Sequence, residues 1–317
     1  MTGDTPPRIL VIKLGALGDF TQAFGPFQAI RRQHPDAHIS LLTTRPFAGI
    51  AAASPWFDEV LTDRRPGRLD LAGWLALRKL LRSDGFTRVY DLQTSARSSR
   101  YRRLFFPDPS PEWSGIAPGC SHPHRNPDRD YMHTIDRQAE QLRDAGIPET
   151  PPPDTDWITS DLNRFDLPEP FALIVPGGSA HRPEKRWPTV HYQALIAALA
   201  ERGLTSVLIG GPDEAALHDQ IIAGQPAAVS LAGRTEFQDI VALGRSATLA
   251  VGNDTGPMHL IAIAACPTVV LFSGASDPAL CAPRGKAVTL LRSPSLSDLD
   301  PAQVISALPA SFRPDGH

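Results

Sequence analysis

The sequence predicts an α/β fold made of two Rossmann-like, doubly wound parallel-sheet domains. Three observations carry that expectation. Short β-branched runs alternate with stretches of helical period along nearly all of the 317 residues. Those runs are apolar on both faces, the pattern of strands buried between helices in a parallel sheet. Between two such series lies segment 147–170, with six prolines and scattered acids. Proline fixes its own φ and biases the residue before it away from helix. The segment therefore reads as a semi-rigid connection between a first domain, 1–160, and a second, 161–317. Domains so joined are expected to leave a cleft where the carboxyl ends of both sheets meet.

In the first domain, strands are expected at "RILVIK", "HISLLT", "DEVLT" and "TRVYDLQ", with helices near 21–33, 70–83 and 130–146. Beyond residue 171 the strands are "FALIV", "TSVLIG", "AVSLA", "TLAVGN" and "PTVVLF", separated by helical segments. The last helix is expected to pack back on the first domain.

Apolar content of 42% and charged content of 21% are those of a soluble globular protein. No run of eighteen apolar residues occurs, so no membrane span is expected. The opening "MTGDTPPRIL" lacks a basic region followed by an apolar stretch, so no secretion signal is expected. Three cysteines, Cys120, Cys266 and Cys281, cannot form a disulfide framework, which fits a reducing cytoplasm. The net charge of −3 hides an asymmetry: residues 1–147 hold 20 Lys and Arg against 16 Asp and Glu, the remainder 11 against 18. A basic first half points to an anionic partner or membrane surface. No nucleic-acid partner is expected, because the whole chain is acidic and aromatics are not interleaved with its bases.

The loops after the strands carry the chemistry. "KLGALGDF" places Gly15 and Gly18 between a strand and a helix, but position 20 is Phe, so it is no dinucleotide fingerprint, and it lacks a Walker lysine. On position alone, Asp19 is a helix cap or first-turn acid. "VPGGSAHRPEKRWP" combines amide donors at Gly177, Gly178 and Ser179 with Lys185 and Arg186, and Pro188 is placed to start a helix. Glycine-serine turn and lysine together suit a pyrophosphate. In "GNDTGPMH", Asp254 and Thr255 are natural caps, Gly256 and Pro257 open an apolar helix, and His259 would face the cleft. In "IGGPDEAA", Asp213 or Glu214 could accept hydrogen bonds from ribose hydroxyls or simply cap a helix.

"DLQTSARSSRYRR" supplies Arg97, Arg100, Arg102 and Arg103, suited to carboxylates or phosphates, or else forming a solvated helix face. "CSHPHRNPDRDYMH" holds Cys120, His122, His124 and His133, but the spacing matches no zinc pattern; it reads as a polar loop, and no metal is expected. No GxSxG nucleophile elbow is present.

Taken in order, "GALGDF" with Pro26 beyond it, "DLQ…RS", "HTIDR", "PGGS…KRWP", "GNDTGPMH" and "SDP" at 276–278 resemble glycosyltransferase family nine, the ADP-heptose:lipopolysaccharide heptosyltransferases. The resemblance implies a GT-B fold, an acceptor-binding first domain, a donor-binding second domain and an inverting transfer. The family's catalytic base falls on Asp19 and its phosphate-binding lysine on Lys185. Its Asp-Thr-Gly turn falls on Asp254, Thr255 and Gly256, with His259 nearby, and Ser179 and Glu214 complete the donor side. Gly18, Arg97, Arg100 and Arg137 would meet an anionic glycolipid acceptor. The ADP-sugar is then a donor substrate, and no cofactor is implied.

Peripheral contact with the inner face of the cytoplasmic membrane would follow from a lipid-borne acceptor and not from a hydrophobic anchor. One departure stands out: the family's best-known branch carries threonines before the lysine, whereas "GGSAHRPEK" offers only Ser179 and adds His181 and Arg182. "KRWP" is closer to the second-heptose branch. Rival expectations are a nucleotide-sugar epimerase or hydrolase of the same architecture, and a non-catalytic sugar-nucleotide-binding module.

Overall fold

A computed structural model describes residues 6–178 and 183–310. The chain divides into two compact units, Met1–Trp157 and Ile158–His317. The first unit runs β1 (Arg8–Ile12), α1 (Leu17–Thr21), α2 (Phe24–Gln33), β2 (His38–Thr43), α3 (Arg45–Ala53), β3 (Glu59–Thr62), α4 (Leu71–Arg82), β4 (Arg88–Asp91), α5 (Ala96–Tyr101), β5 (Glu112–Gly115), β6 (His122–Pro123) and α6 (Thr134–Asp144). Its six strands are all parallel, in the order β3-β2-β1-β4-β5-β6. The order reverses direction beside β1, the doubly wound arrangement in which ligands meet the carboxyl ends of the central strands.

Where sequence and structure differ, the reason is local. The helix expected over 21–33 is two helices with a break at Gln22 and Ala23, so α1 is a short separate piece. β5 and β6 lie outside the expected strands: "EWSG" is half polar, and the two residues of β6 carry no strand signal beyond their pairing with Ser114 and Gly115. α1 is fixed by aromatics. Phe20 stacks on Phe47 with centroids 4.9 Å apart, and Phe24 and Phe27 pack on Trp56. Gly15 has φ +115°, and any Cβ there would meet the Phe47 ring at 2.5 Å, so only glycine lets the loop approach this cluster.

The second unit runs β7 (Phe171–Val175), α7 (Thr189–Ala200), β8 (Thr205–Leu208), α8 (Ala215–Ile222), β9 (Ala228–Ser230), α9 (Phe237–Ser246), β10 (Leu249–Asn253), α10 (Gly256–Ile263), β11 (Thr268–Phe272), α11 (Pro278–Cys281), β12 (Val288–Arg292) and α12 (Pro301–Ser306). The sheet is again parallel, β12-β11-β10-β7-β8-β9. Its edge strand β12 was not expected, because three of its five residues face solvent and its apolar run is short. Pro188 is the N-cap of α7 rather than its first residue. Val304 of α12 and Leu308 beyond it join the buried cluster of α7 and β7.

Candidate active site

In the first unit the loop after β1 and the turn after β4 clamp each other. Leu14 N donates to Gln93 Oε1 at 2.8 Å, Gln93 N to Ile12 O at 3.0 Å, and Lys13 Nζ to Leu92 O at 3.1 Å. Asp91, at the end of β4, is fully buried; its Oδ1 accepts from the Gln93 and Thr94 amides, while its Oδ2 has no hydrogen-bond partner. Burial raises its pKa to about 6. Lys13 is only 3% exposed, and burial lowers its pKa to about 8. Asp19 and Asp91 pull that value up, and Arg137 pushes it down.

Asp19 is not the cap of α1. That position belongs to Ala16, and Asp19 sits half-buried in the first turn with no hydrogen bond or ion pair among the described residues. Gly18 precedes it in α1, half-buried. Arg97 is already engaged: Nη1 donates to Pro66 O at 3.2 Å, and the guanidinium lies 5.8 Å from the Trp74 ring. Arg100, on the same helix, is exposed and makes no such contact. In the histidine-rich segment, His124 Nε2 lies 3.2 Å from Glu140 Oε1, and Arg129 Nε donates to His124 Nδ1. Among the described residues no group of three His, Cys, Asp or Glu is placed to hold a metal.

The second unit gathers its motifs through one amide. Asn253, wholly buried at the end of β10, donates through Nδ2 to Pro176 O and Gly177 O at 2.8 and 3.1 Å. Its Oδ1 accepts from Trp187 N and Tyr192 OH at 3.2 and 3.0 Å. The "PGG" turn, the "KRWP" turn and the start of α10 are thus held to a common strand end. Asn253→Ala is expected to cost roughly 3 kcal/mol of second-unit stability, since it strands several buried polar groups. Urea unfolding of the variant measures it.

Around that staple, Lys185 Nζ donates to Asp254 Oδ2 at 2.8 Å, and Ser276 Oγ donates to the same oxygen at 2.7 Å. Thr255 is the N-cap of α10, yet its side chain makes no capping bond, and its buried Oγ1 has no partner. Gly256 begins the helix; Pro257 has no N–H and Met258 N donates to Thr255 O at 3.2 Å, so the Gly256 amide is what this first turn keeps for an anion. His259 is buried in the first turn rather than displayed. Glu214 takes the capping alternative, its Oε2 accepting from Gly211 N at 2.9 Å, and its Oε1 also braces the glycine turn by accepting from Gly178 N at 3.0 Å. A Cβ at Gly177 would fall 1.9 Å from that carboxylate, so the glycine makes room for it. Asp213 is exposed. Ser179, His181 and Arg182 lie outside the described residues.

Both units thus present strand-end loops braced from within, and the second offers a lysine and an open helix terminus suited to a diphosphate. The family model described as glycosyltransferase family 9 (heptosyltransferase) matches residues 124–302, more than half the chain. The chain belongs to glycosyltransferase family 9. It is accordingly a glycosyltransferase, and the epimerase, hydrolase and non-catalytic readings give way. Relatives of this family 9 chain include lipooligosaccharide heptosyltransferase 2 of Haemophilus ducreyi, 24% identical over 90% of this chain and 88% of that one. Lipopolysaccharide heptosyltransferase 2 of Escherichia coli is 25% identical over the same shares, 90% and 88%.

Among solved structures, a family 9 glycosyltransferase from Veillonella parvula superposes with a TM-score of 0.82, at 21% identity and 95% coverage of both chains. The Escherichia coli heptosyltransferase WaaC with ADP gives 0.73, at 21% identity, covering 94% of this chain and 97% of that one. These likenesses establish the GT-B fold.

Lys13, Asp91, Gln93, Asn253 and Ser276 lie within the quoted motifs "KLGALGDF", "DLQ", "GNDTGPMH" and "SDP", but were not singled out as site residues from sequence. Lys13 directly precedes the glycine loop and Asn253 directly precedes Asp254. A lysine at the end of an otherwise apolar strand was the one signal available for the first.

Proposed function

We propose that this glycosyltransferase moves a heptose from ADP-heptose to a lipopolysaccharide-core acceptor, with inversion, using Asp19 as general base. The observation that carries the reading is the Asp19 carboxylate: in the first turn of α1 it accepts no hydrogen bond among the described residues, while the polar groups of the neighbouring loop are engaged. A general base must be free to accept a proton from a bound hydroxyl. As Asp19 takes the acceptor proton, the acceptor oxygen bonds to the anomeric carbon and the bond to the donor phosphate breaks. ADP leaves with that electron pair. Lys185 and the Gly256 amide at the N-terminus of α10 oppose the charge gathering on the distal phosphate.

Asp254, Thr255 and Gly256 would meet the phosphate and sugar hydroxyls, with His259 supporting the turn. Glu214 would offer its remaining lone pairs to the ribose. On the acceptor side, exposed Arg100 and half-buried Arg137 are suited to carboxylates or phosphates, with Arg97 positioning the neighbouring loop. Their charge fits the basic first half and a site of action at the cytoplasmic membrane face. No helix among the described residues is long and apolar enough to cross a membrane.

Thermal shift tests the donor class. ADP at about a hundred times its Kd is expected to add roughly 2.7 kcal/mol, and so to raise the melting temperature by several degrees. UDP and GDP at the same concentration should add far less. An equal shift with all three nucleotides, or none with ADP, defeats the assignment.

A further inference from the structure

Helix α4 packs into the first unit through Leu77 and Leu81, with Trp74 and Leu80 partly buried beside them. A surface helix ordinarily turns polar side chains to the opposite face. Here Leu71 and Leu75, one turn apart, are 75% and 64% exposed, and Leu69 just before the helix is 95% exposed. Single exposed leucines are commonplace, but three within seven residues make a patch.

The rim of the patch is cationic. Arg64, Arg65, Arg68 and Lys79 are exposed, and none has a side-chain partner among the described residues. The one acid between residues 64 and 82 is Asp70, and its carboxylate is spent capping α4, accepting from Gly73 N at 2.8 Å. The leucines are held on a braced platform: Trp74 Nε1 donates to Gly67 O at 2.9 Å, and Arg97 holds Pro66 O. Nothing inside the unit needs those leucines outside, and the surrounding charge selects an anionic surface.

We propose that residues 64–79 form a membrane-docking surface for anionic phospholipid bilayers. Leu69, Leu71 and Leu75 enter the boundary between headgroups and acyl chains, while Arg64, Arg65, Arg68 and Lys79 meet lipid phosphates. This goes beyond the transfer reading, for docking requires neither donor nor acceptor. It also supplies the hydrophobic anchor that the sequence had not suggested.

The test is sedimentation of the full chain with glycolipid-free vesicles of phosphatidylglycerol and phosphatidylethanolamine, against phosphatidylcholine alone. The protein is expected to sediment with the anionic vesicles, less so at high salt. Leu69→Ser/Leu71→Ser/Leu75→Ser is expected to weaken partitioning at least tenfold. Arg64→Glu/Arg68→Glu is expected to weaken it by a similar factor. Both variants should melt like the parent, because every altered side chain is exposed. Three results overturn the proposal: a parent protein left in solution with glycolipid-free anionic vesicles, a triple serine variant that sediments like the parent, or binding only to vesicles that contain the lipopolysaccharide core, which would make the patch part of acceptor recognition.

Discussion

Asp19→Asn is expected to lower turnover by about 10²- to 10⁴-fold while leaving ADP affinity within a factor of about two. The amide keeps the size and shape of the carboxylate but cannot take a proton at neutral pH. The donor contacts proposed for Lys185, Asp254 and the α10 terminus all belong to the second unit, so ADP binding gives an internal control. Folding gives another. Asp19 makes no hydrogen bond or ion pair among the described residues, so apart from its field at Lys13 little is lost, and the variant should stay within about 1 kcal/mol of the parent's stability.

One side effect has a definite sign. The Asp19 charge helps hold the Lys13 pKa up, so its removal lets that buried ammonium lose its proton more easily. Acceptor-dependent ADP release, followed with ADP titration calorimetry on the same preparation, reads both quantities. Unchanged turnover sinks the general-base role, and a loss confined to ADP affinity moves Asp19 to the donor side.

Much of the fold was legible because its strands are apolar on both faces and its helices are punctuated by glycine and proline. β5, β6 and β12 were not. Their residues are half polar or too few, and hydrogen bonding to a neighbouring strand, not intrinsic preference, makes them strands. The loops that carry chemistry were legible as positions, but the roles of individual residues in them were only partly so. Glu214 read as either a ribose acid or a helix cap; its bond to Gly211 N is the cap, and its bond to Gly178 N, which braces the glycine turn, was not legible. Arg97 looked like an anion ligand and is held against Pro66 and Trp74.

The residues that organise each site, Gln93 in the first unit and Asn253 in the second, stood inside the motifs "DLQ" and "GNDTGPMH", but their roles were not legible there. A buried amide matters through partners far apart in sequence, and spacing along the chain does not encode them. "DLQ" reads as recognition chemistry in a list of motifs; in three dimensions it is the clamp on the glycine loop.

Lys185→Ala is expected to weaken ADP binding by roughly 10- to 100-fold, the range of one lost charge-assisted hydrogen bond. The Lys185–Asp254 pair makes the expectation sharper. Both side chains are largely shielded from solvent, and Lys185 neutralises an acid that lies beside the proposed diphosphate site. Without the lysine, Asp254 keeps only the Ser276 hydroxyl on its Oδ2 and repels the incoming phosphates. Part of the loss is therefore repulsion uncovered rather than attraction removed.

A double-mutant cycle separates the two. Asp254→Asn in the Lys185→Ala background is expected to restore several-fold of ADP affinity, although turnover stays low because the sugar-side carboxylate is gone. Asp254→Asn alone should change ADP affinity little, since the lysine then meets the phosphates without a competing acid. Titration calorimetry with ADP across the four proteins measures the coupling. Strictly additive losses would mean that Lys185 and Asp254 act independently on the nucleotide. An unaltered affinity in Lys185→Ala would remove the lysine from the phosphate site.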